Sequence, residues 1–419
     1  MSRLRSPGLR LTGMAVLCAL VALAVASTSL AASARAAKPT GSAIKLGFLV
    51  STTGTDSQYP DGLASAKAAV RGINSRGGID GHVVDLDACN VQSNVNLAEQ
   101  CARKFVSDGD FAVVPFITNY GPQVTPIIAA AKIPMVGDIS PDSPVQFNSP
   151  YEFLLNAGTE GTFDASVAYG KLAGFKTYAG VGVQIPIVAA LMGSTQKAVV
   201  ASGGQWKGFI GVPASVTQFA PYVAAAQKDN ADMTILAMTG PNVAEVSAAA
   251  NADGYAFHTF VTAIAYPPST IKTLQPTSAF AKDILFAADL PPVSATKQFP
   301  ILKTYVADMN AEQATGDQYA SDSWRSPASE WAWYGIHAVQ VIGNMIKGPN
   351  VTKVTMLAAL RAAKDVKLGL TPAWTPNGTG PKGFTRVTNF DEYMEKLQNG
   401  QLVLAYPKSF SVQKVMTGS

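Results

Sequence analysis

The chain has 419 residues, of which 47% are hydrophobic and 14% charged, enough to bury two cores of ordinary domain size. Lysine and arginine number 32 against 28 aspartate and glutamate, and four of the arginines (Arg3, Arg5, Arg10, Arg35) lie in the first 36 residues, which hold no acid. The remainder is neutral overall, so a basic footprint for nucleic acid or anionic lipid is excluded.

Residues 1–36 read as an export signal. Arginines come first, an apolar core runs from Met14 to Ala26, and Ala34-Arg35-Ala36 fits a small-x-small cleavage site. Ser27, Thr28 and Ser29 interrupt the apolar run too early for a membrane anchor. Cys18 follows Val16-Leu17 where a lipoprotein site needs small residues. No other segment approaches the length of a spanning helix. Beyond the signal, Ile44 to Val50 is an apolar, branched run that predicts a buried strand. The polar loop Ser51-Thr52-Thr53-Gly54-Thr55-Asp56 follows it. Pro60-Asp61-Gly62 opens a helix with Leu63, Ala66, Val70 and Ile73 on one face, and Gly77-Gly78 ends it. His82 to Ala88 alternates into a second strand. This βαβ unit places a polar loop where open α/β sheets hold their ligands.

Cys89 and Cys101 are the cysteines left after cleavage. In an exported chain such a pair is expected to bond, the alternative being two buried thiols. Cys101 falls on a helix that starts near Asn96, with Glu99 as its capping-box partner, and shares a face with Leu97 and Phe105. The alternation then continues. Strands are predicted at Phe111–Phe116, Ile133–Gly137, Tyr151–Leu155, Thr177–Val183, Gln205–Val212, Met233–Met238, Phe257–Ala263 and Ile284–Ala288. Helices are predicted at Pro122–Ala131, Gly161–Leu172, Pro186–Ala201, Phe219–Lys228 and Val243–Ala252. Such alternation predicts parallel sheets covered by helices, and the length requires two of them.

Signatures of catalysis are missing. There is no phosphate-binding loop of Walker type, G-x-S-x-G elbow, H-E-x-x-H pair or C-x-x-C, and Ile185 breaks the dinucleotide fingerprint begun by Gly180 and Gly182. His82, His258 and His337 read as structural or surface residues. What remains is a set of polar strand-end loops: Ser51-Thr52-Thr53, Thr118-Asn119-Tyr120 and Ser140-Pro141-Asp142-Ser143. Hydroxyls, amides and free N–H groups at helix starts make such loops an anion cradle, although each residue alone reads as a cap or turn.

The S-T-T-G-T loop, the Ala-rich helix ending I-N-S-R-G-G-I-D-G and the flanking strands resemble the start of a branched-chain amino-acid-type solute-binding protein of ABC importers. That resemblance continues at matching intervals through nearly all of the mature chain. It implies the type I periplasmic-binding fold: two Rossmann-like α/β lobes with parallel-sheet cores, joined by hinge crossings. Residues 43–156 with 290–370 would form lobe 1, and 157–289 with 371–419 lobe 2. Helices around Pro300–Glu312, Trp331–Ile346 and Thr355–Lys364 would return to lobe 1. Strands near Thr385–Val387 and Leu402–Ala405 would belong to lobe 2, after a hinge crossing at Leu370–Gly383.

The three loops match the family positions that hold a ligand carboxylate. In the second lobe Gln184 stands where relatives often place a tyrosine, and Thr239 follows an inner strand. After the strand at Phe257–Ala263, where amino-acid binders present an acid, this chain has Ile264-Ala265-Tyr266-Pro267. Asp142 or Asp289 would have to supply the counter-charge to an ammonium. Alternatively Tyr59, Tyr120, Tyr266 and Trp324 would line a pocket for a more apolar or aromatic acid. Trp331, Trp333 and Tyr334 read as helix packing. The expected function is capture of a small solute by an exported monomer that delivers it to an ABC permease, without cofactor, metal or nucleic acid. A sensor domain for a signalling receptor and an exported hydrolase are the alternatives.

Overall fold

The structure, a computed structural model, describes residues 38–54, 58–117, 119–254, 258–263 and 284–418. Residues 1–37, Thr118, Tyr266 and the rest of the Ile264–Pro267 loop lie outside the described residues.

Two sheets carry the fold. The first is five-stranded and wholly parallel, in the order β2 (His82–Asn90), β1 (Gly41–Val50), β3 (Ala112–Val114), β4 (Met135–Val136) and β5 (Glu152–Phe153). The second runs β12 (Gln401–Leu404), β11 (Asp391–Gln398), β10 (Ile284–Ala288), β9 (Thr259–Thr262), β8 (Met233–Ala237), β6 (Thr177–Val183) and β7 (Gln205–Val212). Its strands from β10 to β7 are parallel, and the two from the C-terminal tail join antiparallel. Each sheet is the floor of one α/β lobe, the arrangement expected when every strand is followed by a helix that must bury its apolar face.

In the first lobe, α1 (Pro60–Ser75), α9 (Leu302–Gln313) and α10 (Pro327–Gly343) pack as a layer. α1 is short-sided, burying Ala64, Ala66, Ala68, Ala69 and Gly72, which lets its partners approach closely. A Cβ on Gly72 would lie 2.3 Å from the Asp308 carboxylate. Asp308 in turn accepts two bonds from Arg76, at 2.6 and 2.9 Å, and one from Trp333 Nε1 at 2.9 Å. α10 is rich in apolar residues and buried almost throughout, as a central helix must be. It meets the sheet through Gly137 (φ +78°), whose Cβ position lies 2.7 Å from Gly335 Cα. No side chain fits there.

The helices of the second lobe include α5 (Gly158–Ala173), α6 (Pro186–Ala201), α7 (Ala220–Asp229) and α8 (Gly240–Ala252). Chain segments passing between the sheets are laced to one another. Trp374 Nε1 donates to Leu154 O (2.9 Å), Arg386 Nε to Glu152 O (2.9 Å) and Asn389 Nδ2 to Leu155 O (2.8 Å). Asn156 Nδ2 donates to Asp289 Oδ1 at 2.8 Å, tying in the segment that follows β10.

Two expectations from sequence need correction. Thr385–Val387 is not a strand. The tail pairs instead through Asp391–Gln398, which the apolar pattern does not reveal because four of its eight residues are charged. The helix carrying Cys101, α2 (Val95–Asp108), is capped by Asn94, whose side chain accepts from Asn96 N and Leu97 N. Glu99 is engaged by Arg103 and makes no capping box.

Cys89 and Cys101 form a disulfide with Cα atoms 5.7 Å apart, joining β2 to α2. The bridge spans a sequence separation of 12 residues. Replacing both cysteines by serine should therefore lower stability by about 3 kcal/mol, because the unfolded chain regains the entropy of the opened loop. A urea midpoint unchanged from the parent would refute that contribution.

Candidate functional site

The strand-end loops of the first lobe assemble on one edge of the sheet. β1 lies between β2 and β3, so the loops that follow these strands are neighbours. Thr52 N donates to Asn90 Oδ1 (3.0 Å), and Asn90 Nδ2 donates to Thr53 Oγ1 (3.0 Å), binding the first loop to the end of β2. Ser51 is buried and its hydroxyl donates to Thr53 O. Tyr59 N donates to Ser51 O, and the Tyr59 ring meets Phe116 edge-on at 5.8 Å. Asn119 is exposed and Tyr120 half-buried, just before α3 (Gly121–Ala130).

Gln146 organises the next two loops. Its side chain donates to Asp138 Oδ2 (2.6 Å), while its Oε1 accepts from Ser143 Oγ (2.7 Å) and Asp142 N (3.3 Å). A Cβ on Gly121 would lie 2.2 Å from the Gln146 amide, so that glycine lets the loop after β3 settle on the loop after β4. Ser143 is a helix cap with its hydroxyl engaged, and Ser140 N bonds Asp138 Oδ1 at 3.1 Å. Burial lifts the Asp138 carboxyl to about 7. In the second lobe Gln184 is exposed beside Gly211, and Thr239 is exposed at the start of α8. Trp324 is half-buried and meets Tyr319 edge-on at 4.8 Å.

A cavity of about 450 Å³ lies between the two sheets' helices and strands. One wall holds Ile139, Ser326, Glu330 and Trp331, and the other Ala263, Ala287, Glu395 and Leu402. Asp289 and Leu290, where the chain leaves β10 for the first lobe, join the two walls. Asp289 is the sequence candidate that lines this cavity. It accepts from Asn156, and burial raises its carboxyl to about 7. Trp331, expected only to pack, does both: Nε1 donates to Gly137 O at 3.0 Å while the residue lines the cavity. Trp333 and Tyr334 are buried in the core of the first lobe.

Sequence reasoning missed Glu330, Glu395 and Arg325. Glu330 enters from the first turn of α10, where Ser326 caps the helix by accepting from Ser329 N and donating to Asp61 Oδ2 (2.5 Å). Its signal was an acid inside an apolar helix. Glu395 sits opposite Phe286 in the β10–β11 ladder, and had no signal without that pairing. Arg325 lines the cavity with its guanidinium on Asp322 and on Asn310 Oδ1. Desolvation holds Glu330 and Glu395 well above the ordinary glutamate range, and Glu395 adds to the rise at Glu330.

The three histidines make structural contacts. His82 bridges Ser42 O and Pro349 O, while His258 and His337 stack on Phe175 and Trp333, each at 5.0 Å. Among the described residues no group of three or more potential ligands is placed to hold a metal, and no helix is long and apolar enough to cross a membrane.

The sequence pattern of the periplasmic binding proteins matches residues 43–390. No curated protein matches the sequence. Among solved structures, a solute-binding protein of an ABC transporter from Rhodopseudomonas palustris HaA2, in complex with p-hydroxybenzoic acid, superposes with a TM-score of 0.68 at 18% identity, covering 89% of this chain and 98% of its own. A leucine-binding protein from Thermotoga maritima gives 0.66 at 14% identity, over 87% and 98%. A protein from Rhodospirillum rubrum described as a putative branched-chain amino acid ABC transporter gives 0.63 at 18%, over 86% and 99%. At these identities the likeness establishes the two-lobed type I fold.

Proposed function

The chain belongs to the periplasmic binding proteins, and we propose that it is exported, captures a small carboxylate-bearing solute between its lobes and delivers it unaltered to an ABC importer. One observation carries the reading: a cavity of about 450 Å³, within the range of small-molecule sites, takes its walls from both lobes. A ligand gripped from two sides stabilises the closed arrangement by contacts that the open one lacks. A permease then distinguishes loaded from empty protein by shape.

The lobes are residues 43–156 with 290–370, and 157–289 with 371–419. The strand-end loops with Ser51, Thr52, Thr53, Asn119, Ser140 and Ser143, which do not themselves line this cavity, would supply the partners of the carboxylate, with Tyr59, Tyr120, Gln184 and Thr239 around the remainder of the ligand. The hydroxyl and amide content of those loops supports this, as do the p-hydroxybenzoic acid held by one structural neighbour and the description of another as leucine-binding. The export signal at residues 1–36 and the disulfide suit delivery outside the cytoplasm.

The test is a thermal-shift screen of amino acids, aromatic acids, amides and lipid-derived acids on the purified protein. A carboxylate-bearing compound should raise the melting temperature by mass action. Asn119→Ala should weaken its binding by about tenfold or more, the scale of one lost hydrogen bond to a charged group, with the melting temperature of the free protein unchanged. Stabilisation by amines alone, or undiminished binding by the variant, would refute the carboxylate site.

A further inference from the structure

The polar groups of the interlobe cavity are not balanced. Glu330 comes from α10 in one lobe and Glu395 from β11 in the other, and both line the cavity. Their residues are 3% and 1% exposed, and Glu330 Oε1 and Glu395 Oε2 have no hydrogen-bond partner. Asp289, on the same lining, is already bonded by Asn156. The base on the lining, Arg325, is committed to Asp322, Asn310 and the Ala320 carbonyl. A buried carboxyl with an idle oxygen costs free energy, and native proteins rarely leave one without a role. The two residues line one space from opposite lobes.

We propose that Glu330 and Glu395 together hold a cationic nitrogen of the solute, a primary ammonium, with one carboxylate contributed by each lobe. This rests on the cavity being the solute site. An organic cation suits the lining better than a metal ion. Trp331, Leu290 and Leu402 offer apolar surface to a carbon skeleton, and no metal-holding cluster occurs among the described residues. Without a cation desolvation raises both carboxyls, and Glu395 adds to the rise at Glu330. With one between them, both lobes gain a charge-assisted contact that exists only when the cavity is closed.

Two matched series of probes test this on the purified protein: leucine, isoamylamine and 4-methylpentanoate, and phenylalanine, phenethylamine and 3-phenylpropanoate. In at least one series the amine-bearing members should raise the melting temperature more than the acid of the same skeleton. Titration calorimetry should find amine affinity lowered about tenfold or more in Glu330→Gln and in Glu395→Gln, with affinity for the plain acid retained. The comparison on the parent protein stands even where a variant folds poorly. Binding of the acids without the amines would overturn the ammonium subsite and leave the solute-binding reading intact. So would Gln variants that bind amines as tightly as the parent. Binding by none of the six compounds would overturn both.

Discussion

The melting temperature should be several degrees higher near pH 5 than near pH 8. Asp61, Asp138 and Asp289 are buried, and desolvation raises their carboxyls from 3.8 to about 6, 7 and 7. Asp110 is also fully buried, has both oxygens unpartnered and is raised to about 7. Glu330, Glu392 and Glu395 shift in the same direction. For such a group the folded state holds its proton where the unfolded chain has lost it. Its stabilisation is complete below the unfolded value and disappears as pH rises through the folded one, here from about pH 4 to 7 and beyond. A carboxyl whose pKa rises by one on folding changes stability by about 1.4 kcal/mol across that range. His337 opposes the trend, since burial lowers it to about 4 and the folded state resists its protonation below about pH 6.5. One histidine against this many acids does not reverse the slope. A profile that is flat, or that rises toward pH 8, would mean that these carboxyls are ionised in the fold.

Asp308→Ala should be among the most damaging single changes in the first lobe, at about 3–5 kcal/mol. The carboxylate is 5% exposed and accepts from Arg76 on one side and from Trp333 on the other. Removing it strands the buried Trp333 indole N–H and leaves the exposed Arg76 guanidinium without its partner between α1, α9 and α10. The outer pair along the same seam, Lys67–Asp317, has a basic partner about half exposed and is worth little by comparison. Urea unfolding followed by tryptophan fluorescence reads the difference directly. Lys67→Ala provides the contrast, with an expected loss of under about 1 kcal/mol. Equal losses in the two variants would remove Asp308 from its place as the central rivet.

Much of this fold is legible in the amino-acid order, and for a physical reason. Strands β6 and β7 and helix α6 begin and end where apolar runs meet glycine, proline or a capping residue, and their observed limits match the pattern. Such boundaries are set within a few residues of chain. β11 was illegible because its order comes from its neighbours: the buried Glu395 pairs with Phe286 of β10, more than a hundred residues earlier in sequence. The candidate site divides along the same line. Loops such as Ser51–Thr53 announce themselves as polar breaks after apolar strands. Glu330 and Glu395 line one cavity only because the tail adds β11 to the second sheet, and Trp331 joins that lining through tertiary packing that its helix pattern does not announce.

The lacing of the segments between the sheets limits what the molecule can do mechanically. Trp374, Arg386 and Asn389 hold the carbonyls of three successive or near-successive residues, Leu154, Glu152 and Leu155, and Asn156 holds the third segment. Segments fastened side by side in this way resist shearing past one another and resist torsion about their length. They still flex together, like the leaves of a spring. Relative travel of the two halves is thereby reduced to a single soft coordinate.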